Sequence, residues 1–109
     1  MMKPWEIWTW KFPDAGIHPA VIVGTDDRVT QKSQVNVILC STHRASRQPE
    51  PHEVMLDEAD GLNWPTLCKC DLLLAAPKNE LTAKRGVVTI ERRRAIARRL
   101  IQHLGLAGL

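Results

Sequence analysis

Apolar and polar residues alternate near the start of the chain, and this alternation predicts a β-strand. Within residues 6–12, every second position places two tryptophans and a phenylalanine on one face of such a strand. Two continuous runs rich in β-branched residues follow, at residues 20–23 and 35–40, and both are typical of strands buried in a small barrel or sheet. The first 40 residues therefore predict three strands.

The segments between and after these runs are more polar. Residues 25–34 predict a turn with one helical turn capped by Thr25 or Asp26, and residues 43–51, with two prolines and little apolar content, predict a mobile surface loop. The apolar run at residues 72–76 fits more than one type of structure. Further short strands are expected at residues 52–56, 66–70 and 86–88, with turns at 60–62 and 77–79.

A helix is predicted at the end of the chain, with Thr89 as its N-cap and Gly105 as its stop. Apolar residues recur there at three- and four-residue steps, at Ile96, Ala97, Leu100, Ile101 and Leu104. Strands followed by one amphipathic helix predict a strand-rich α+β fold, with the helix packed on a small sheet. Residues 1–109 are expected to form a single domain, because the chain has the length of one ordinary core.

The net charge of +3 is unevenly distributed. Residues 61–109 hold nine of the fifteen Lys and Arg residues but three of the twelve Asp and Glu residues, and five arginines lie between positions 92 and 99. Such a run could attract a phosphate backbone or an acidic protein tail, or could simply be a solvated helix face. No apolar run approaches about 18 residues and no secretory signal is evident, so we expect a cytoplasmic protein without a membrane span.

The three cysteines do not indicate a disulfide framework, because their number is odd and Cys68 and Cys70 are two positions apart. We expect free thiols. A zinc site is not expected, since this spacing lacks the Cys-x-x-Cys pairs of structural zinc.

Several short segments occur in an order that resembles one known family. Glu-Ile-Trp at residues 6–8, His-Pro-Ala-Val-Ile-Val at 18–23, Val-Ile-Leu-Cys-Ser-Thr at 37–42 and Leu-Gly-Leu at 104–106 are similar to motifs of the MazF/PemK family, the small toxins of bacterial toxin–antitoxin pairs. The resemblance spans about Trp5 to Leu106. It implies an SH3-like small β-barrel with a C-terminal α-helix.

The resemblance also implies a set of catalytic candidates. Thr42 stands at the threonine that family members use in their phosphate site, and Lys69 and Asp71 stand where one branch has a catalytic arginine and an aspartate. His18 is the main departure, because many members carry a catalytic arginine before this proline. The site would then consist of His18, Thr42, Lys69 and Asp71, with two arginine positions altered together.

The implied activity is that of an endoribonuclease that cuts single-stranded RNA without a metal or cofactor, by attack of the ribose 2′-OH on the neighbouring phosphate. This chemistry needs a base, a cation or donor for the charged phosphate, and an acid for the leaving oxygen. His18 is suited to be base or acid, Lys69 a point cation, and Thr42 a donor. Asp71 would act as the acid only when protonated, or would orient a partner. The resemblance further implies a homodimer, neutralised by an acidic antitoxin, that inhibits growth when free.

Four further residues are candidates for RNA binding. His43, Arg44 and Arg47 lie in the polar loop after Thr42, and the two arginines could supply a guanidinium to the phosphate. Trp8 could stack on a base, although tryptophans in a small sheet usually fill its core. An exposed tryptophan beside the Thr42 loop would favour stacking.

Other interpretations remain open. His18 could be an ordinary loop histidine, Thr42 a strand-end hydroxyl bonded to nearby backbone, and Lys69 and Asp71 a surface pair. The protein would then be a catalytically inactive RNA- or protein-binding module of the same fold. A gyrase poison of the related CcdB type would need a C-terminal feature that residues 104–109 lack. Convergence of the four catalytic candidates beside a basic groove would favour the enzyme.

Overall fold

The computed structural model describes residues 1–42 and 48–109. This part of the chain forms six strands, two α-helices and two short 3-10 turns. The strands are β1 (Glu6–Phe12), β2 (Gly16–Val23), β3 (Gln34–Thr42), β4 (Glu53–Leu56), β5 (Thr66–Pro77) and β6 (Thr82–Val87). The helices are α1 (Asp26–Gln31) and α2 (Ile90–His103), and the 3-10 turns span Glu58–Asp60 and Lys78–Glu80. All six strands join one antiparallel sheet in the order β4-β5-β3-β2-β1-β6.

The sheet has a hydrophobic cluster on each face, because side chains alternate along its strands. One cluster contains Ile7 and Ile38 and is covered by Ile96 of α2. The other contains Trp10 and is completed by Val29 of α1. The predicted strand at residues 6–12 thus supplies both sides of the core.

The sheet curls until its two edges come together. The 3-10 turn at Glu58–Asp60 follows the edge strand β4, and the carbonyl of Asp60 lies against Gly86 on the opposite edge strand, β6. A Cβ atom at position 86 would come within 1.9 Å of that carbonyl oxygen, so this close approach requires glycine. The prediction of a strand-rich α+β fold with a small barrel is confirmed.

The strand predictions are correct apart from their bounds. Residues 66–70 and the ambiguous run at 72–76 form one strand, β5, whose register shifts opposite Ile38 and Cys40. The last strand begins at Thr82, four residues earlier than expected, because its side chains are mostly exposed and show no alternation. Thr25 caps α1 as predicted, since its hydroxyl accepts the Arg28 N–H.

Helix α2 begins after Thr89 and ends before Gly105, as predicted. The Thr89 side chain makes no capping hydrogen bond; instead the Thr89 N–H donates to Asp60 Oδ1 at 2.9 Å. Only the first part of the apolar stripe is covered, because Ile96 is buried whereas Ile101 and Leu104 are about half exposed, at 48% and 46%.

The predicted loop at residues 43–51 is described in part. Residues 48–51 are exposed, and residues 43–47 lie outside the described ranges, so the mobility of this loop stays a prediction. Among the helices that the structure describes, none has both the length and the apolar character needed to cross a membrane.

Candidate functional site

A cavity of about 750 Å³ opens where β1, β2 and β6 meet the turn that leads into β5. Its polar and aromatic lining comprises Thr9, His18, Thr42, Asn63, Trp64, Thr66, Lys84 and Arg85. Two of the four catalytic candidates, His18 and Thr42, therefore line the same cavity. The described lining includes the cationic Lys84 and Arg85 and neither aspartate nor glutamate, which favours an anionic ligand.

His18 directly follows the exposed Ile17 near the start of β2. A tight turn precedes this strand, and in it Asp14 and Gly16 have positive φ angles of 61° and 87°. Its Nε2 atom lies 2.9 Å from the Ala15 carbonyl oxygen. A carbonyl only accepts hydrogen bonds, so Nε2 carries a hydrogen and the neutral ring can accept a proton at Nδ1. The local turn thereby selects the tautomer of this histidine.

Thr42 and Thr66 are directly paired across β3 and β5. The Thr66 side chain is buried, and its hydroxyl donates to the Trp64 carbonyl at 3.0 Å. Thr42 is exposed, and within residues 1–42 and 48–109 its hydroxyl has no hydrogen-bond partner. The described residues thus leave the Thr42 hydroxyl available to a ligand in the cavity.

The tryptophans differ sharply in their surroundings. Trp64 is 59% exposed and lines the cavity with Thr42, which is the arrangement that favours base stacking. Trp8 is half-buried, packs against the core and donates from Nε1 to Glu6 Oε1 at 3.0 Å. Trp8 does not line the cavity. Trp64 is therefore better placed than Trp8 to contact a ligand in the cavity.

Lys69 and Asp71 lie on β5 but outside the cavity lining. Lys69 is on the strand face opposite the cysteines, as alternation predicts, and its Nζ donates to Glu53 Oε2 at 2.9 Å. The Glu53 side chain is almost fully buried, so this pair is partly structural. Asp71 Oδ1 lies 3.8 Å from His52 Nε2 at the surface. The structure thus brings two of the four candidates together and leaves the other two outside the cavity, with Lys69 in an ion pair with Glu53 and Asp71 beside His52.

Two cationic residues that no sequence motif indicated line the cavity from β6. Lys84 forms a 2.8 Å ion pair with Glu6. Burial raises the pKa of Glu6, but hydrogen bonds from Lys84, the Lys3 N–H and Trp8 outweigh it and hold that pKa below its usual value. Arg85 donates from Nε to the Thr9 hydroxyl at 2.8 Å. The only sequence signal was a basic pair just before Gly86, which alone does not indicate a site.

A second polar cluster holds the wall of the cavity in place. We call it the clamp: Asp57, Asp60 and Arg92. Arg92 donates to both carboxylates, and the Asp60 side chain is completely buried. Hydrogen bonds from Arg92 and from the Ala59 N–H lower the pKa of Asp57 to about 2, and the two carboxylates raise the pKa of Arg92. The clamp anchors the 3-10 turn just before Trp64 to α2.

The remaining candidates concern cysteine chemistry, metals and the polar loop. Cys40, Cys68 and Cys70 are free and fully buried. Hydrogen bonds with Cys40 and Cys70, together with burial, raise the pKa of the Cys68 thiol, so Cys68 is a poor metal ligand. The described residues include no group of three or more side chains that could hold a metal. The predicted RNA-binding residues His43, Arg44 and Arg47 lie outside the described residues.

Comparisons with known proteins agree with this fold. The family model of PemK-like, MazF-like toxins of type II toxin–antitoxin systems matches residues 3–104. The chain therefore belongs to this toxin family, as the order of its motifs predicted. No curated protein matches the chain by sequence.

Solved structures show the same fold at low sequence identity. An endoribonuclease in complex with its cognate antitoxin, from a mycobacterial species, superimposes with a TM-score of 0.83 at 22% identity over 100% of both chains. The Mycobacterium tuberculosis toxin MazF-mt6 gives 0.79 at 21% identity, covering 93% of this chain and 97% of that one. A MazE–MazF complex from Deinococcus radiodurans gives 0.76 at 12% identity over 97% of each chain.

Proposed function

We propose that this protein is a toxin that cleaves single-stranded RNA, and that the cavity is where cleavage occurs. The observation that carries the proposal is the meeting of His18, Thr42 and an exposed Trp64 in one cavity whose described lining has no carboxylate. His18 can serve as the base that takes the 2′-OH proton, the Thr42 hydroxyl can donate to the phosphate, and the Trp64 ring can stack on a base of a single strand. Membership of the toxin family and the endoribonuclease activity of a structural relative support the same activity.

In the proposed reaction His18 is the base. Its Nδ1 takes the proton of a ribose 2′-OH, and the 2′ oxygen forms a bond to the adjacent phosphorus while the bond from phosphorus to O5′ breaks. The products are a 2′,3′-cyclic phosphate and a 5′-hydroxyl, whose O5′ takes a proton from solvent. Thr42 donates its hydroxyl hydrogen to a non-bridging phosphate oxygen and stabilises the charge that develops there.

Base stacking explains how an open cavity selects single strands. Trp64 presents its ring beside Thr42, and a base that is free of a duplex can lie on such a ring. We further propose that an acidic antitoxin inhibits the protein by covering this anion-attracting cavity, that the toxin is a homodimer, and that it acts on mRNA in the cytoplasm to inhibit growth. Relatives of this fold occur in complexes with antitoxins.

The test is incubation of the purified protein with a long unstructured RNA in EDTA, followed by mapping of fragment ends. We expect discrete cuts with 5′-hydroxyl ends. His18→Ala should slow cleavage by about 100-fold or more, since positioned bases contribute at least that factor. His103→Ala is the matched control, because this exposed histidine on α2 is outside the cavity and should leave the rate unchanged.

A catalytically inactive binding module is the second candidate function. The observation that favours it is the position of Lys69 and Asp71 outside the cavity, where Lys69 is paired with Glu53 and Asp71 lies beside His52. RNA that stays intact with the wild-type protein but binds to it would support the module and contradict the ribonuclease. Cleavage that persists unchanged in His18→Ala would instead remove His18 from the mechanism.

A further inference from the structure

RNA cleavage in this cavity needs a cation for the phosphate, and the catalytic candidates do not place one there. The attacked phosphate gains negative charge as its fifth bond forms, so a fixed positive donor accelerates the step. Lys69 lies outside the cavity and is paired with Glu53. Lys84 lies in it but is paired with Glu6. Arg85 lines the cavity, and the described residues include no carboxylate paired with it.

The Arg85 guanidinium is hydrogen-bonded through Nε, whereas no described residue accepts a hydrogen bond from its two terminal nitrogens. Its Nε donates to Thr9 Oγ1 at 2.8 Å, and the Thr9 hydroxyl in turn donates to the Ala83 carbonyl at 3.1 Å. Within residues 1–42 and 48–109 the two terminal nitrogens of Arg85 have no hydrogen-bond partner. A guanidinium fixed through Nε presents these terminal donors in the planar arrangement that binds two phosphate oxygens.

An unusual backbone geometry produces this chain of hydrogen bonds. Ala83 has a φ of 44°, in the left-handed region that a residue with a side chain rarely adopts. The pairing of β1 with β6 shifts register between Ile7 and Thr9, so Thr9 pairs with Thr82 and its hydroxyl reaches the Ala83 carbonyl. Irregular backbone of this kind often re-aims a side chain beside a functional site. Here the irregularity fixes Thr9 as the acceptor for Arg85.

We propose that Arg85 is the catalytic cation of this protein, binding the RNA phosphate in the cavity that contains His18 and Thr42. Thr9 is its positioning residue and acts through the hydrogen bond to Nε. The proposal rests on the proposed ribonuclease function and adds a residue to it. Arg85 stands on β6, far along the chain from position 18, and supplies a guanidinium to a site whose proline is preceded by histidine.

The first test compares Arg85→Ala, Arg85→Lys and a matched control, Arg28→Ala, whose exposed arginine lies on α1 outside the cavity. Two quantities are measured: the single-turnover cleavage rate, and the affinity for a 2′-O-methyl RNA oligonucleotide that cannot be cleaved. We expect Arg85→Ala to slow cleavage by about 100-fold or more. Arg85→Lys should recover only part of the rate, because an ammonium lacks the two-pronged donor geometry. Arg28→Ala should match the wild type.

The second test separates positioning from folding. Thr9→Val keeps the shape of the side chain but removes the acceptor of Arg85, and we expect kcat to fall about tenfold with a smaller change in KM. Thr9→Ser restores the hydroxyl and should restore kcat. Equal losses in both variants would overturn the positioning role.

The outcomes distinguish this proposal from the function on which it rests. Wild-type cleavage that is unchanged in Arg85→Ala would overturn the role of Arg85 and leave the ribonuclease standing. A wild-type protein that does not cleave would contradict the ribonuclease. In that case, weaker binding of the 2′-O-methyl RNA by Arg85→Ala would still support Arg85 as the phosphate ligand, and unchanged binding would overturn it.

Discussion

Two polar clusters lie close together in this protein, and each contains an arginine, but the two arginines have different kinds of partner. In the clamp, the guanidinium of Arg92 contacts the carboxylates of Asp57 and Asp60, and the Asp60 side chain is completely buried. In the cavity, the guanidinium of Arg85 donates a hydrogen bond only to the neutral hydroxyl of Thr9 among the described residues. The first arginine has its charge compensated inside the protein, whereas the second offers its charge to a ligand.

The comparison shows that the partners of an arginine side chain distinguish a structural arginine from a functional one. The residue type and the charge of its neighbours in sequence do not. Arg92 is the first of the five arginines between positions 92 and 99, whose sequence pattern suggested binding to a phosphate backbone. In the structure its side chain instead holds α2 to the turn at Glu58–Asp60. Arg85 lies outside that run and lines the cavity. Substitutions in the clamp should therefore lower the free energy of unfolding, and substitutions in the cavity should lower RNA binding or cleavage at nearly constant stability.

The largest effect is expected from Arg92→Met. The substitution leaves the buried carboxylate of Asp60 without its cation, which typically costs about 3–5 kcal/mol of unfolding free energy. Urea denaturation measures this loss. Arg94→Met is the control, because Arg94 is an exposed neighbour on the same helix and surface changes usually stay within about 0.5 kcal/mol. Equal stabilities for the two variants would mean that the clamp does not hold the fold.

A smaller loss is expected from Gly86→Ala. The new methyl group would meet the Asp60 carbonyl at 1.9 Å, so the two edges of the barrel must separate, at a cost of about 1–3 kcal/mol. Gly105→Ala serves as the comparison, since apart from its two chain neighbours no described residue has an atom within 4 Å of a Cβ added there, and the substitution adds only the strain of a φ of 74°. Denaturation curves in which Gly86→Ala is no worse than Gly105→Ala would contradict the close approach.

The elements of the fold could largely be predicted from the sequence, because hydrophobic periodicity decides them locally. The alternation at residues 6–12, the β-branched runs and the cap at Thr25 all gave correct elements. Strand β6 was predicted too short because Thr82–Arg85 is exposed and carries no periodic signal. Closure of the barrel depends on contact between Asp60 and Gly86, which are far apart in sequence, so no local pattern could predict it.

The site was predictable only in part, for a similar physical reason. His18 and Thr42 lie at strand ends that motif order identifies, and they do share a cavity. Arg85 was missed because its role depends on a register shift between β1 and β6 and on the backbone of Ala83. Lys69 was a candidate from the resemblance alone, but Glu53 on the neighbouring strand pairs with it, and a single sequence does not reveal cross-strand partners.

The smallest effect on stability, together with a clear effect on function, is expected from Trp64→Ala. Trp64 is 59% exposed, so its removal should change the free energy of unfolding by no more than about 0.5 kcal/mol. Loss of a stacked base should weaken binding of a 2′-O-methyl RNA by about 1–3 kcal/mol, measured by fluorescence anisotropy. Trp64→Phe, which keeps an aromatic face, should retain much of the affinity.

Trp8→Ala is the counterpart of Trp64→Ala, because it removes the same type of side chain from a different part of the protein. The Trp8 ring packs against the core and its Nε1 donates to Glu6, so its loss should lower stability while the affinity of the folded protein for RNA stays close to that of the wild type. The reverse pattern, with binding lost in Trp8→Ala and kept in Trp64→Ala, would move the RNA away from the cavity. It would also remove the main reason for placing a single-stranded substrate beside Thr42 and Arg85, because no base would then stack where the phosphate is proposed to bind.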